Sequence, residues 1–480
     1  VDVNGDLSAA SHTAAAPVLD VESEFYKEQA TRAADAGVVI DLCIATSEYV
    51  DLASLKYLAT MSGGAIFLYQ TVADASLPQD IYRRLRRPRA LGGVLRLRTS
   101  VEFAPVRAYG HFFPDAEYEN LYHVLACDQH DTFAFDFEYT STQGFSQPYP
   151  PILQLAFQYT IAVTDGEGKQ FLCRRLRLFT TSVKCTAKAQ EVYQHANAET
   201  ILSLLQHKIV RASLEEGIPE GRLLLQDWLV ILTAQYNSHC GIATFGESAA
   251  TAPLDVTFSK CEALQSLPRF VYALLRSAIL QTEADGVHPD KRVHMQCLYG
   301  LLEPASLACG VYPVLSSYRS PDEEAFPKHS LSQAALITSG SPIFLLDAFT
   351  CIIVYYAPNC PADLPFPPPQ NSRLRRKINT MKAERVITPR VQFIRGGHDP
   401  VTDFESHLIE EQAQSLSAAF GSPTREHVGQ SWFAELSPNS RARAMDDDED
   451  VHTSGVVPGM GFVGFLDLIT DDVRQYMQNG

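Results

Sequence analysis

Arginine is concentrated in three short runs of the sequence. The runs are Arg83, Arg84, Arg86, Arg87 and Arg89; then Arg174, Arg175 and Arg177; and finally Arg373, Arg375 and Arg376 with Lys377. A cluster of positive side chains can present one basic face to an anionic lipid surface or to an acidic partner. The alternative is that each run is an ordinary solvated face.

The formal net charge of −17 limits the kinds of ligand that these arginines could bind. A general nucleic-acid binder needs a basic footprint that displaces counterions from phosphate, so we predict no nucleic-acid partner. The composition is 46% hydrophobic, 20% charged and 10% aromatic, which is typical of packed globular protein. A chain of 480 residues is too long for one core, so roughly three or four domains are expected.

The sequence contains none of the compact motifs that mark common active sites. The nucleophile elbow G-x-S-x-G, the phosphate-binding P-loop and the zinc motif H-E-x-x-H are all missing. We interpret the glycine pairs at 63–64, 92–93 and 396–397 as turns, and His294 and His407 as ordinary surface or core residues. A metabolic α/β enzyme stays one hypothesis, and it requires a polar pocket with convergent titratable groups.

The cysteines and the apolar stretches bear on metal binding and on location. The ten cysteines show neither a C-x-x-C pair nor regular spacing, so we predict no zinc site and no other cofactor. Scattered free thiols are typical of a reducing compartment. The most apolar stretch, 343–358, is about 16 residues long and contains Asp347, whereas a membrane span needs about 20 apolar residues.

The first 90 residues are predicted to form a flexible segment, 1–24, and part of an α/β layer, 25–90. Strong helix formers dominate 25–36 and 52–60, and β-branched or apolar runs follow each of them, at 38–45 and 65–69. Helices alternating with strands across short connections are typical of a parallel sheet. Two such units are too few for a stable sheet. Either the layer is the remnant of a larger domain, or an upstream part has been removed, as the opening Val-Asp-Val also suggests.

The middle of the chain changes its hydrophobic period twice. Residues 91–188 alternate with a period of two and include a turn at 165–168, which predicts a β-sandwich with a closing hairpin. The alternating segments are 94–100, 132–139, 153–163 and 176–180. Residues 189–325 show a 3.6-residue apolar period, which predicts an all-helical domain.

Residues 326–480 are predicted to form a strand-rich module. Strand character extends over 330–356 and ends in two apolar runs, IFLLDAF and CIIVYY, before a proline-rich linker at 361–370. The acidic block Asp446–Asp450 lies in a predicted disordered insert at about 413–458, because like charges cannot be buried together. An amphipathic helix is predicted for 462–477.

Several strings, in this order, resemble COPII inner-coat proteins of the Sec23/Sec24 family. FYKEQATRAADAGVVIDL (25–42) and SGGAIFL (62–68) are similar to the trunk of that family, and GGVLRLRTSVEFAPVRAYG (92–110) and LQLAFQYT (153–160) to its β-sandwich. SLPRFVYALLRSAIL (266–280), GVYPVLSSY (310–318) and SPIFLLDAFTCIIVYY (341–356) resemble its helical domain leading into its last module, which ends near TPRVQFIRGG (388–397). The resemblance implies a multidomain α+β fold: a partial, von Willebrand A-like α/β trunk, a β-sandwich, an all-helical domain and a gelsolin-like C-terminal domain.

The strings favour the GTPase-activating Sec23 side over the cargo-binding Sec24 side. ASLEEGIPE (212–220), LLDAF and the late glycine pair support the first, while SHLIEEQ (406–412) and GFVGFLDLITDDV (461–473) support the second. The family's zinc finger and first trunk half have no counterpart here, so zinc binding is not carried over.

The activating arginine of the family is also missing from its expected place. Activating members place an arginine shortly after the glycine pair, where it neutralises charge on the transferring phosphoryl group. This chain instead has Asp403 beside Phe404, and an aspartate there would repel the γ-phosphate. Arg395 is the nearest substitute. The GTPase-facing candidates are Arg395, Gly396, Gly397 and His398.

The resemblance implies a scaffold rather than an enzyme: an inner-layer COPII subunit in ER-to-Golgi transport, cytoplasmic and peripheral on the endoplasmic reticulum membrane and COPII vesicles. Implied partners are the coat's small GTPase, the sister inner-coat subunit, an outer-coat subunit and an anionic membrane surface. Membrane-facing candidates are Arg84, Arg86, Arg87, Arg96, Arg174, Arg175 and Arg376, and the hypothesis predicts that they converge on one face. The alternative is a Sec24-like cargo adaptor that does not stimulate GTP hydrolysis.

Overall fold

The computed structural model describes residues 24–142, 144–145, 149–246, 251–281, 286–326, 329–410 and 460–479. Its helices are α1 (Phe25–Asp35), α2 (Leu52–Thr60), α3 (Ser76–Arg86), α4 (Ala189–Gln194), α5 (Ala198–Glu215), α6 (Ile218–His239), α7 (Leu267–Leu275), α8 (Pro289–Tyr299), α9 (Pro304–Val311), α10 (Gln333–Ser339), α11 (Arg373–Glu384), α12 (Thr402–Glu405) and α13 (Phe462–Asn479). Its strands are β1 (Leu42–Ala45), β2 (Ile66–Tyr69), β3 (Ala90–Thr99), β4 (Phe103–Tyr109), β5 (Phe113–Pro114), β6 (Leu121–Cys127), β7 (Ala134–Tyr139), β8 (Ile152–Thr164), β9 (Gln170–Ser182), β10 (Val314–Tyr318), β11 (Ile343–Asp347), β12 (Cys351–Tyr356) and β13 (Arg390–Arg395). The predicted segment 1–24, except Glu24, and the predicted acidic insert lie outside the described residues.

The α/β part consists of α1 to α3 and a parallel pair of strands. Leu42 of β1 pairs with Ile66 of β2, which confirms the predicted parallel arrangement. The prediction of strand structure from Val38 to Ile40 was wrong, because their backbone donors are used elsewhere. The amide of Val38 donates to the Ala33 carbonyl at the end of α1, and that of Ile40 donates to Ser62 Oγ.

The strands β3 to β9 form two antiparallel sheets. One has the strand order β5-β6-β3-β8-β9, and the other pairs β4 with β7. Leu95 and Val124 of the larger sheet are buried, and Phe135 of β7 packs against this cluster. The turn after Thr164 joins β8 to β9, which confirms the predicted hairpin.

The helical layer is built on a large apolar core that includes Leu225, Tyr272 and the buried face of α13. Phe465, Ile469 and Val473 of α13 are fully buried in this core. The helix at 462–477 was predicted correctly, but it was grouped with the strand-rich module at 326–480. Its packing places it with the helical layer instead, because its apolar face is covered by α6 and α7.

The last module is a four-stranded sheet in the order β10-β11-β12-β13, with β12 and β13 parallel. The two apolar runs at 343–356 form β11 and β12 as predicted. Strand structure over 330–342 was wrong, because 333–339 forms α10, whose first turn is capped by the Ser332 hydroxyl. The helix α11 follows the proline-rich segment and carries the third basic run.

Buried polar contacts join these modules to one another. The Asp290 carboxylate at the start of α8 accepts from the Val50 and Leu52 amides, at 2.9 and 2.7 Å. Asp80 of α3 accepts from the Thr388 amide just before β13 at 2.6 Å. The modules therefore pack on one another and are not separate beads on a string. Among the described residues, no helix is both long and apolar enough to span a membrane.

Candidate partner-binding and membrane-facing surfaces

The four GTPase-facing candidates lie together in a tight turn at the end of β13. The Gly396 amide donates to the Tyr356 carbonyl at 2.8 Å, and the Asp399 amide donates to the Arg395 carbonyl at 2.9 Å. A Cβ atom at Gly396 would approach Tyr355 Oη to 2.7 Å, and Gly397 has a positive φ of 79°. Gly396 is thus required by close side-chain packing and Gly397 by its backbone conformation, as the prediction of a turn implies.

Arg395 is exposed, but its side chain already has a contact. Its guanidinium lies over the Phe366 ring at 4.3 Å, and Phe366 packs edge-on against Tyr356 at 5.1 Å. The backbone amide of Arg395 donates to Asp399 Oδ2 at 2.7 Å. A cation–π contact of this kind stabilises an exposed arginine by roughly 0.5–1 kcal/mol, so reaching a phosphate requires that the contact be given up.

Asp403 and Phe404 occupy the region in which the family's activating arginine is expected. The Asp403 carboxylate accepts from Gln392 Nε2 at 2.8 Å and from Arg390 Nη2 at 3.3 Å. Phe404 is fully buried and stacks on Tyr355 with ring centroids 4.5 Å apart. In this chain the segment therefore packs back on the last sheet.

Arg84 is not membrane-facing, and the prediction that it is was wrong. It is only 7% exposed and lies at the centre of an ionic cluster. Its Nη2 donates to Asp41 at 2.9 Å, and its Nη1 donates to Asp128 at 3.3 Å. Burial alone would raise the pKa of Asp41, but Arg84, the Ala65 amide and Arg89 together outweigh it and hold that pKa below its ordinary value.

The neighbours of Arg84 divide into structural and exposed residues. Arg87 is partly buried and donates to the Val386 carbonyl at 3.1 Å, so it too belongs to a junction between modules. Arg86 is exposed and lies 5.9 Å from the Tyr82 ring. Of the three candidates on or next to α3, only Arg86 is available to a membrane.

Two other candidates share one face of the larger β-sheet. Directly opposed residues of an antiparallel ladder lie on the same face, and Arg96 opposes Ala156, which in turn opposes Leu178. Arg174 and Leu176 alternate with Leu178 along β9 and therefore lie on that face as well. We name this surface, Arg96, Arg174, Leu176 and Leu178, the outer face of the sheet. Sequence reasoning missed its leucines, which are 59% and 62% exposed.

The remaining membrane-facing candidates lie elsewhere. Arg175 alternates with Arg174 and so belongs to the opposite face of β9. Arg376 is exposed on α11, in the last module. The predicted convergence therefore fails for Arg84, Arg87 and Arg175, while Arg96 and Arg174 do lie together.

A partly buried cysteine–histidine pair was also missed, since 56 residues separate its members. Cys351 Sγ lies 3.5 Å from His407 Nε2. Burial raises the pKa of Cys351 to about 11 and lowers the pKa of His407 to about 4. Both groups are therefore neutral near pH 7. This is the reverse of an activated thiolate, whose pKa is lowered by a neighbouring cation.

Comparison with known proteins relates this architecture to two groups of transport proteins. Residues 6–87 match the family model of the Sec23/Sec24 trunk domain, and residues 197–309 match that of the Sec23/Sec24 helical domain. Protein transport protein SEC23 D of Arabidopsis thaliana is 46% identical over 476 residues, covering 96% of this chain and 59% of that protein. Protein transport protein SEC24 of Yarrowia lipolytica is 24% identical over 462 residues, covering 88% of this chain and 47% of that protein.

A solved structure has a similar fold. The crystal structure of the human COPII-coat protein Sec24c matches with a TM-score of 0.71 at 19% identity, covering 95% of this chain and 56% of that chain. The chain thus spans about half the length of the relatives that it matches.

Proposed function

Because the chain belongs to the Sec23/Sec24 family, we propose that it is a scaffold of the inner COPII layer in protein transport from the endoplasmic reticulum to the Golgi. The observation that carries this proposal is the 46% identity to SEC23 D over nearly the whole chain. The protein acts at the cytoplasmic side of the endoplasmic reticulum membrane and of COPII vesicles, as a peripheral subunit. Its work is to hold partners in place, without bond-making chemistry of its own.

The finer assignment of domains is part of the same proposal. Residues 25–90 correspond to a part of the von Willebrand A-like trunk, 91–188 to the β-sandwich and 189–325 to the helical domain. Residues 326–480, apart from α13, correspond to the gelsolin-like domain. The two antiparallel sheets at 90–182 and the four-stranded sheet of β10 to β13 support these assignments. The helix α13 returns from the last module to the helical core and ties the two together.

The membrane contact that we propose is the outer face of the sheet. Exposed leucines between arginines can enter the headgroup region while the guanidinium groups meet lipid phosphate. Each basic residue near an anionic surface contributes about 1 kcal/mol. Arg86 and Arg376 are additional contacts within this proposal.

The partners that we propose are the coat's small GTPase, the sister inner-coat subunit and an outer-coat subunit. The GTPase contact is the turn at Arg395 to His398. If this chain stimulates hydrolysis, Arg395 is the residue to supply the positive charge, after release from Phe366.

A cargo adaptor of the Sec24 type is the second candidate. The similarity to SEC24 of Yarrowia lipolytica over 88% of the chain favours it, as does the stacking that buries Phe404. A hydrolysis assay with the GTP-loaded coat GTPase separates the two candidates. Stimulation that is lost on Arg395→Ala supports an activator, and no effect of the whole chain on hydrolysis supports the adaptor.

Vesicle flotation tests the membrane contact. The double variant Arg96→Glu/Arg174→Glu reverses two charges on the outer face, and Arg175→Glu/Arg177→Glu reverses two on the opposite face of β9. We expect the first pair to weaken binding to phosphatidylserine-containing vesicles at least about tenfold, since each arginine contributes about 1 kcal/mol, and the second to have much less effect. Equal losses from both pairs, or binding that does not depend on salt, would contradict this contact.

A further inference from the structure

A groove separates α6 from α13 on the surface of the helical layer. Its volume is about 410 Å³, and Leu223, Asp227 and Val230 of α6 form one wall. Asp472 and Tyr476 of α13 form the other. None of these residues belongs to the surfaces assigned above to the GTPase or to the membrane.

The groove has two carboxylates and no matching cation. Asp472 accepts from Gln226 Nε2 at 2.7 Å, but the Asp227 carboxylate has no hydrogen-bond or ion-pair partner among the described residues. Partial burial raises the pKa of Asp227, and the negative charge of Asp472 raises it further. Two carboxylates that repel each other in a partly desolvated groove attract a positive group from outside.

The rest of the groove is mixed, with the amide side chains of Gln226, Gln475 and Asn479 beside the apolar Leu223, Val230 and Tyr476. Leu223 is 41% exposed and Tyr476 39%, while Val230 forms a buried floor. Tyrosine is one of the residue types that dominate binding energy at protein interfaces.

We propose that this groove binds a linear peptide of a partner protein in which one lysine or arginine lies between apolar residues. The basic side chain pairs with Asp227 and Asp472, and the flanking apolar residues pack on Leu223 and Tyr476. A second copy of this chain does not fit, since a symmetric contact would bring the same carboxylates face to face. This site does not depend on the coat function proposed above.

Peptide selection on the purified chain tests the proposal. We expect a displayed library of random 12-residue peptides to yield sequences with a basic residue flanked by leucine, isoleucine, valine or phenylalanine. Binding can be followed through the fluorescence anisotropy of a labelled copy of the selected peptide. The reversal Asp227→Lys should raise the Kd at least tenfold, whereas Asp467→Lys, on α13 outside the groove lining, should change it less than twofold.

A charge swap distinguishes a direct ion pair with Asp227 from a general attraction by the negative charge of the chain. Replacing the basic residue of the selected peptide by glutamate should restore binding to Asp227→Lys and abolish binding to the unaltered chain. Leu223→Ser should weaken both peptides, and circular dichroism should show that all variants keep their helical content. The proposal is overturned if no peptide is enriched, if enriched peptides lack a basic residue, or if Asp227→Lys and Asp467→Lys behave alike.

Discussion

Removing the Arg84 guanidinium should destabilise the junction between the α/β part and the larger β-sheet. Arg84 pairs with Asp41 before β1 and with Asp128 after β6, and the Asp128 side chain is only 1% exposed. In Arg84→Met the apolar stem is kept, but Asp41 and Asp128 lose their nearest cation and keep only Arg89 at 3.7 Å and Arg87 at 4.0 Å. Breaking a buried ion pair from one side costs about 3–5 kcal/mol when the remaining charge is uncompensated, so we expect a loss toward the lower end of that range.

Urea unfolding followed by circular dichroism measures this loss, and hydrogen exchange in the segment around Asp128 locates it. The matched control is Arg86→Met on the same helix, which removes an exposed arginine and should change the free energy of unfolding by less than about 0.5 kcal/mol. Adding Asp128→Asn to Arg84→Met should recover part of the loss, since it removes one uncompensated charge. A loss below about 1 kcal/mol, or no recovery in the double variant, would refute the role of Arg84 as a buried connector.

Two further predictions concern the turn after β13 and the pH dependence of the junction between the α/β part and the larger β-sheet. Gly396→Ala should lower the free energy of unfolding by about 1–3 kcal/mol, because the new methyl group would lie 2.7 Å from Tyr355 Oη. The control is Gly166→Ala, where nothing lies within 4 Å of the new methyl group. Equal urea midpoints for the two variants would contradict the close packing at Gly396. Burial and the neighbouring Asp128 raise the pKa of Asp131 to about 6, so the folded state favours the protonated acid. The contribution of Asp131 to the free energy of unfolding is therefore present below pH 4 and is lost as the pH rises through 6. Asp131→Asn should therefore gain stability relative to the unaltered chain between pH 4 and pH 7, and a constant difference in urea midpoint across that range would argue against the assignment.

Local patterns predicted much of the fold. The alternation at 153–163 and the turn at 165–168 identified the hairpin of β8 and β9, because a half-buried strand and its turn are encoded by neighbouring residues. The apolar runs of β11 and β12 were identified for the same reason. The helix α10 was missed, since its seven residues are too few for a clear helical period.

Long-range packing could not be predicted from the same patterns. Nothing in the run 83–89 distinguishes Arg84, which meets carboxylates 43 and 44 residues away, from the exposed Arg86. The burial of α13 against α6 likewise depends on contacts across more than 200 residues, such as Gln226 with Asp472. Periodicity indicates that a helix has an apolar face, but it does not identify the surface that covers that face.

Affinity isolation of the chain from cells, after mild crosslinking, tests the central claim most directly. The scaffold proposed here should bring down a small GTPase, in larger amounts with a non-hydrolysable GTP analogue than with GDP, together with a second large coat subunit. Recovery of neither protein, from cells in which the tagged chain is folded and abundant, would contradict assignment of this chain to the inner coat.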